Sequence, residues 1–136
     1  MPDPCTYDYA IVRVVPRVER GEFVNVGAIV SSDAEGYLAA RFAVDAARLL
    51  ALDPHVDLKA VRTGLDAIAA VCVGGAAAGA IGRLTLRERF HWLVAPRSTI
   101  IQTSAVHTGR CDDLADELDH LLETMVRPPS PSPLPP

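Results

Sequence analysis

The segment from Tyr7 to Phe42, YDYAIVRVVPRVERGEFVNVGAIVSSDAEGYLAARF, decides the fold of this chain. Its first run, Tyr7 to Val15, is rich in β-branched and aromatic residues and is closed by Pro16, which is typical of a strand. Phe23 to Ser31 and Tyr37 to Phe42 have the same character, and only short links separate the three runs. Because short links join antiparallel neighbours, the segment predicts a three-stranded antiparallel meander.

Polar residues interrupt the apolar faces of the first two predicted strands. Alternation places Arg13 on a face that is otherwise aromatic and aliphatic, and Asn25 on a similar face of the next strand. An Asn in such a position needs a hydrogen-bond partner, and Arg13 on the neighbouring strand is one choice. Gly27 in the same strand indicates either a β-bulge with a local hydrogen bond or a close approach of another backbone or a ligand.

The middle of the chain predicts helices. A short helix over Ala43–Leu52 stops at Asp53-Pro54, because the residue before a proline is pushed out of the helical region. Asp57 is placed to cap a longer helix that runs to about Val73 and is ended by Gly74-Gly75.

Small residues from Ala76 to Gly82 follow and predict a mobile linker. Thr85 with Glu88 three residues on is a capping-box pattern, so we expect a further helix over Leu86–Val94.

The segment from Arg89 to Asp113, RFHWLVAPRSTIIQTSAVHTGRCDD, contains the single Trp and two of the four His. Within it we expect a fourth strand over Thr99–Thr103 and a loop over Ser104–Arg110. Asp112 or Asp113 would cap a last helix that runs to Met125. Since the rest of the chain is Ala-, Val- and Leu-rich packing material, recognition or chemistry is expected in this segment.

Together these elements predict an α+β fold with a single domain over residues 4–127. Its antiparallel β-meander plus a later fourth strand would be packed by three or four helices on one face. The Pro-rich residues 128–136 cannot form a helix or a sheet, and they predict a disordered tail.

Charge and cysteine usage narrow the functional classes. With a net charge of −4 the chain has no general attraction for nucleic acid or anionic lipid, so a nucleic-acid-binding module is only the third alternative. That alternative would use a set of arginines: Arg13, Arg17, Arg20, Arg97 and Arg110. Three cysteines without metal-like spacing indicate reduced thiols in a cytoplasmic protein. We predict no metal site, no cofactor and no membrane span.

Arg97, Ser98 and Thr99 form the first candidate site. A guanidinium beside two hydroxyls and free backbone N–H groups can hold a phosphate or a carboxylate. The alternative is structural, with Arg97 paired to Asp112 or Asp113 so that it locks the loop.

His107 and Thr108 form the second candidate site. His107 is the candidate catalytic residue, a general base that Asp112 or Asp113 would orient, although no nucleophile stands at a diagnostic spacing. Cys111 is expected near a helix N-terminus, where the helix dipole would lower the pKa of its thiol. A purely structural loop histidine is the alternative.

Two blocks carry a resemblance to a known family: YDYAIVRVVPRVERGEFVNVGAIV and FHWLVAPRSTIIQTSAVHTGRCDD. In combination they resemble a bacterial family of unknown function, domain of unknown function 3037, over nearly the whole chain except the Pro-rich tail. The resemblance implies no established activity, but it implies a HipA-like kinase as a partner protein. The matching positions are Glu22, Asn25, Gly27, Trp92, Arg97, Ser98, Gln102, His107, Thr108 and Gly109.

We therefore expect a cytoplasmic accessory or binding protein that works with a partner such as a HipA-like kinase. Its binding residues would be Glu22, Asn25, Arg97, Ser98, Gln102, His107 and Thr108. The alternative is a small enzyme acting on a phosphorylated or carboxylated metabolite, with Arg97 as anion clamp and His107 as acid–base. That alternative requires Arg97 and His107 to converge on one pocket, and the sequence leaves open whether the protein is an enzyme.

Overall fold

The computed structural model describes residues 4–129. One antiparallel sheet contains five strands: β1 (Cys5–Val14), β2 (Val24–Ser32), β3 (Tyr37–Phe42), β4 (Ile101–Thr103) and β5 (His107–Cys111). β1 is central. β2 pairs with one of its edges and carries β3 beyond it, while β4 and β5 pair with successive parts of the other edge. The predicted meander and the α+β class are confirmed.

Ser104 bridges the gap between β4 and β5. Its main-chain N–H donates to the carbonyl of Ile11 at 2.8 Å, and its hydroxyl oxygen accepts from the Ile11 N–H at 2.8 Å. At this position the side-chain hydroxyl of Ser104 therefore takes the place of a main-chain carbonyl as the acceptor for the Ile11 N–H. Both edges of β1 are paired along most of its length, as a central strand requires.

The loop predicted over Ser104–Arg110 is wrong from His107 onward, because β5 forms there. Gly109 lies directly opposite Tyr7, and a Cβ at Gly109 would stand 2.7 Å from the Tyr7 hydroxyl. The Tyr7 side chain thus covers the glycine closely. Glycine usually weakens a strand. Gly109 is tolerated in β5 because the Tyr7 side chain, directly across in β1, fills the space beside it.

Four α-helices are described: α1 (Ala46–Leu52), α2 (Leu58–Val73), α3 (Leu86–Val94) and α4 (Leu114–Leu121). A π-helical turn over Leu122–Val126 continues α4. α2 and α3 lie where the sequence predicts them, and α3 begins with the predicted capping box between Thr85 and Glu88.

Capping carboxylates decide the starts of the other two helices. The side chain of Asp45 accepts from the N–H of Arg48, so α1 begins three residues later than predicted. The side chain of Asp113 accepts from the N–H of Asp116, so Asp113 rather than Asp112 caps α4.

Helices cover both faces of the sheet, and the prediction of helices on one face is wrong. α1, α2 and α3 pack on the face that carries Val12 and Val14 of β1. α4 and the π-helical turn pack on the opposite face, against Tyr7 and Ile11. Each face has its own buried apolar cluster, so β1 contributes to two cores.

A β-bulge in β2 lies opposite the step from Val12 to Arg13, and apolar residues of β2 enter both buried clusters. Val12 pairs with Gly27 but Arg13 pairs with Asn25, so Val26 is an extra residue in β2. A Cβ on Gly27 would lie 2.4 Å from Cδ1 of Phe42, so this glycine also permits the close approach of β3. The bulge and the close approach, two alternatives from the sequence, occur together.

The small-residue linker is folded. It forms two 3-10 turns, Ala76–Ala78 and Ile81–Arg83, and the Gly75 N–H closes them by donating to the carbonyl of Gly82 at 3.0 Å. The Pro-rich tail predicted for residues 128–136 lies, from residue 130 on, outside the described residues. Within residues 4–129 the helices are too short or too polar to cross a membrane.

Candidate functional site

Arg97 is held at the C-terminal end of α3. Pro96 follows the helix, and the Arg97 side chain turns back to donate to the carbonyls of Leu93 and Trp92 at 3.0 and 2.8 Å. Its guanidinium lies 4.4 Å from the centroid of the Trp92 ring. Carbonyls at a helix C-terminus form the negative end of the helix dipole, so they neutralise part of the Arg97 charge. The ion pair between Arg97 and Asp112 or Asp113, the structural alternative, is absent from the described part of the chain.

A groove opens beside this pair, between α2 and the segment that leads into β4. Its cavity volume is about 360 Å³, and its walls are mostly apolar. Trp92 is 41 % exposed at its rim. We call this feature the Trp92 groove; its defining residues are Ala60, Gly64, Ala67, Trp92, Arg97 and Ile101.

Small residues on α2 form the floor of the Trp92 groove. Ala60, Gly64 and Ala67 follow each other at intervals of four and three, so they share one side of the helix. A Cβ on Gly64 would stand 2.3 Å from Cδ1 of Ile101. Gly64 therefore lets the chain entering β4 pack directly on the backbone of α2.

Gln102 and Ser98 are near Arg97 in the structure as in the sequence. Gln102 also lines the Trp92 groove, and its side-chain amide donates to the carbonyl of Thr99 at 2.9 Å. Ser98 is exposed in the turn between Arg97 and Thr99. The structure thus keeps Arg97 and Ser98 together, whereas the pairing of Gln102 with Arg13 directs the Gln102 side chain to the opposite face of the sheet.

His107 and Thr108 lie elsewhere. The His107 ring packs on Tyr9 with centroids 5.3 Å apart, and Tyr9 borders the α4 core. Thr108 donates from its hydroxyl to Asp8 at 2.7 Å. Since α3 covers the other face, Arg97 and His107 lie on opposite faces of the sheet. The convergence that the enzyme alternative requires is not assembled.

Glu22 and Asn25 are also apart from the Trp92 groove. Glu22 pairs with Arg20 at 2.5 Å in the loop between β1 and β2. Asn25 donates from its amide to the carbonyl of Met125 at 3.0 Å, on the α4 side of the sheet. The seven predicted binding residues therefore do not form one site.

The arginines proposed for nucleic-acid binding are largely engaged within the protein. Arg17 lies 3.4 Å from Asp53, Arg20 pairs with Glu22, and Arg97 donates to helix carbonyls. Ion pairs and main-chain bonds reduce the free positive charge that phosphate contacts need. The geometry does not favour this alternative.

The thiols are not activated. Burial, and then the negative charge of Glu117, raise the pKa of Cys111, which ends β5 opposite Cys5 rather than starting a helix. The expectation of a lowered pKa is therefore wrong. Burial also raises the pKa of Cys72, to about 12. Thiols with raised pKa values stay protonated at neutral pH and are poor nucleophiles.

The floor of the Trp92 groove was not predicted from the sequence. Ala60, Gly64 and Ala67 were available as a signal, because three small residues on one helix side leave room for another segment. Whether these residues lie beside Trp92 depends on the path of the chain into β4, and no local sequence pattern specifies that path.

The fold and the groove define a small α+β protein with an apolar surface groove and no acid–base pair at the predicted positions. A family model described as a protein of unknown function (DUF3037) matches residues 9–126. The chain belongs to this family, and the resemblance inferred from its sequence is confirmed. No curated protein and no solved structure gives a significant match.

Proposed function

We propose that this protein is a non-catalytic accessory protein of the cytoplasm that binds a partner protein through the Trp92 groove. The occupant of the groove is an apolar segment of that partner. A HipA-like kinase is the partner that the family resemblance implies. Three free cysteines, at Cys5, Cys72 and Cys111, are compatible with a reducing compartment.

The observation that carries the proposal is the apolar groove beside a pre-positioned Trp–Arg pair. Trp and Arg are the residue types that contribute most binding energy in protein interfaces. Arg97 is already fixed by two carbonyl bonds and by stacking on Trp92. Binding therefore costs little additional side-chain entropy at this pair.

The floor of the groove supports a peptide segment as the occupant. Ile101 covers Gly64, but Ala60 and Ala67 present little side-chain volume on either side of it, so a partner segment can approach α2 closely there. Apolar side chains of the partner would then pack against Trp92 and Ile101, as in helix-in-groove recognition.

Isothermal titration of the full chain with a purified HipA-like kinase tests the proposal. We expect saturable binding that Trp92→Ala weakens about tenfold or more, as for an interface hot spot. Leu50→Ala is the matched control, because Leu50 and Trp92 are both 41 % exposed and Leu50 lies outside the groove. Equal affinities of the Trp92→Ala and Leu50→Ala variants would contradict the groove as the binding surface.

A second pair of variants tests the Trp92 groove without removing the Trp92 ring. Ala67→Glu places a charged side chain on the groove floor, at an exposed helix position where Glu is well tolerated. Val73→Glu adds the same side chain at the 85 % exposed end of α2. We expect the first substitution to abolish kinase binding and the second to leave it unchanged; kinase that binds no form of the chain overturns the proposed partner.

A further inference from the structure

Arg13 lies in the middle of the sheet between two side-chain amides. It is directly opposite Asn25 of β2 on one side and Gln102 of β4 on the other. Directly opposite residues of antiparallel strands point to the same face, so the three side chains form a polar row across three strands. We call Asn25, Arg13 and Gln102 the Arg13 row.

The inner part of the row is buried and incompletely hydrogen-bonded. Nε of Arg13 and Oδ1 of Asn25 are both buried without a hydrogen-bond partner among residues 4–129. The Asn25 amide nitrogen is fixed by its bond to the Met125 carbonyl. Part of the Arg13 guanidinium is therefore withdrawn from water, which strengthens its electrostatic interactions.

The outer part of the guanidinium is open. The two Nη groups of Arg13 make no hydrogen bond or ion pair within the described part of the chain. Unlike Nε, they are in contact with solvent. The guanidinium lies 4.1 Å from the centroid of the Phe23 ring. Phe23 is itself 44 % exposed, so the stacked pair faces solvent.

The other two half-buried arginines of the described residues have carbonyl acceptors, which Arg13 lacks. Arg89 donates to the carbonyls of Val71, Cys72 and Leu84, and Arg97 donates to two carbonyls at the end of α3. Arg13 is the third half-buried arginine of the described residues, and it has no acceptor there. Its hydrogen-bonding capacity and its charge are both left for a ligand.

We propose that the Arg13 row is a binding site for a carboxylate. Two parallel N–H groups of a guanidinium match the two oxygens of a planar carboxylate, and the contact with the Phe23 ring restricts the position of the guanidinium. A single guanidinium supplies one positive charge, so it suits the one negative charge of a carboxylate better than the two of a phosphate. The carboxylate belongs either to a free small acid or to a side chain of a protein.

Titration of the full 15N-labelled chain with sodium acetate at constant ionic strength tests the site. We expect a saturable shift of the Arg13 Nε–H signal, assigned by its absence in Arg13→Met, and no such shift with sodium chloride. Arg13→Met should lower the affinity for acetate at least about tenfold. Arg110→Met is the control, because it removes an exposed arginine from β5 and leaves the row intact.

Phe23→Glu provides a variant that keeps Arg13. A carboxylate at position 23 would pair with the guanidinium within the chain, so acetate binding should be lost while the fold is retained. Phe23→Leu, which adds no charge, should retain acetate binding. Trp92→Ala should also retain it, so the outcome here is independent of the Trp92 groove.

The source of the carboxylate follows from one further probe. A short peptide with blocked ends and one Glu should bind more tightly than acetate if the ligand is a protein side chain, and no more tightly if it is a free acid. Shifts that are the same in acetate and chloride overturn the proposal. Tighter binding of inorganic phosphate than of acetate, or an equal loss in Arg110→Met, also overturns it.

Discussion

Arg97 and Arg13 lie in matched surroundings on opposite faces of the sheet. Each is half-buried, and each guanidinium stacks on an exposed aromatic ring, at 4.4 Å from Trp92 and at 4.1 Å from Phe23. The difference is in the main chain. Arg97 reaches the free carbonyls at the end of α3, whereas Arg13 lies in the central strand, whose carbonyls are used by the sheet. The same side chain is therefore structural in one place and available in the other.

Arg89, the third half-buried arginine of the described residues, has more main-chain acceptors than either Arg97 or Arg13. Its guanidinium joins the end of α2 to the start of α3 through three carbonyl bonds. The number of acceptors thus falls from Arg89 to Arg97 to Arg13. Stability should depend on the three side chains in the same order, because a carbonyl that loses a charged donor is left unpaired.

Replacement of Arg89 should have the largest effect. Arg89→Met keeps most of the side-chain volume but removes all three carbonyl bonds, so we expect a loss of about 2–4 kcal/mol in the free energy of unfolding. Urea denaturation followed by circular dichroism measures it. Arg87→Met, at an exposed position of the same helix, is the control and should change little. Equal losses in the two variants would contradict the assigned role.

Arg97→Met should cost less, about 1–2 kcal/mol, because two carbonyl bonds and one stacking contact are lost. Trp92 is the single Trp of the chain, so its fluorescence reports this region directly. Removal of the guanidinium exposes the indole further, and the emission should move to longer wavelength. An unchanged spectrum would show that the stacking is not formed in solution.

Tyr7 provides a pH-dependent test on the α4 face. Its hydroxyl donates to Glu117 at 2.8 Å, and burial together with that bond raises the pKa of Tyr7 above its ordinary value of 10. Above pH 10 the unfolded chain loses this proton first, so stability should fall as pH rises, with a slope of at most about 1.4 kcal/mol per pH unit.

Tyr7→Phe removes the titrating group and should remove this part of the alkaline slope. Urea midpoints from pH 8 to 11 measure the difference between the two proteins. A slope that is the same in both would assign the alkaline loss to other groups.

Arg13→Met should have the smallest effect. No hydrogen bond within the described residues is lost, and the unpaired buried Nε is removed, while the stacking on Phe23 disappears. We expect the free energy of unfolding to change by no more than about 0.5 kcal/mol. A loss larger than that of Arg97→Met would reverse the comparison and assign Arg13 a structural role.

Much of the fold follows from local signals in the sequence. The meander, the capping box at Thr85 and the extent of α2 are decided by alternation, helix caps and glycines, which act over a few residues. β5 was missed because Gly109 indicates a loop, whereas Tyr7, more than a hundred positions away, covers it. The second helical face was missed because both faces of β1 are apolar, and alternation alone does not show which of them is covered.

The candidate site was predicted in part. Proximity along the chain correctly grouped Arg97 and Ser98, but it also grouped His107, Thr108 and the side chain of Gln102 with them. The gap at Ser104 between β4 and β5 separates His107 and Thr108 from Arg97 and Ser98, because β4 and β5 pair with different parts of β1. Arg13 and Asn25 are unusual in the apolar pattern of the sequence, but the pairing of Arg13 with Gln102 depends on strand register, which the pattern does not specify.

The central position of β1 has a consequence for folding during synthesis. β2 follows β1 closely and can pair with it early, but the bonds between Ile11 and Ser104 join residues 93 positions apart. One edge of an apolar strand therefore stays unpaired until most of the chain has left the ribosome. Such an edge is open to wrong partners, and its pairing across a long loop is slow. We therefore expect chaperones to act on this protein during the interval between the synthesis of β1 and the synthesis of β4 and β5.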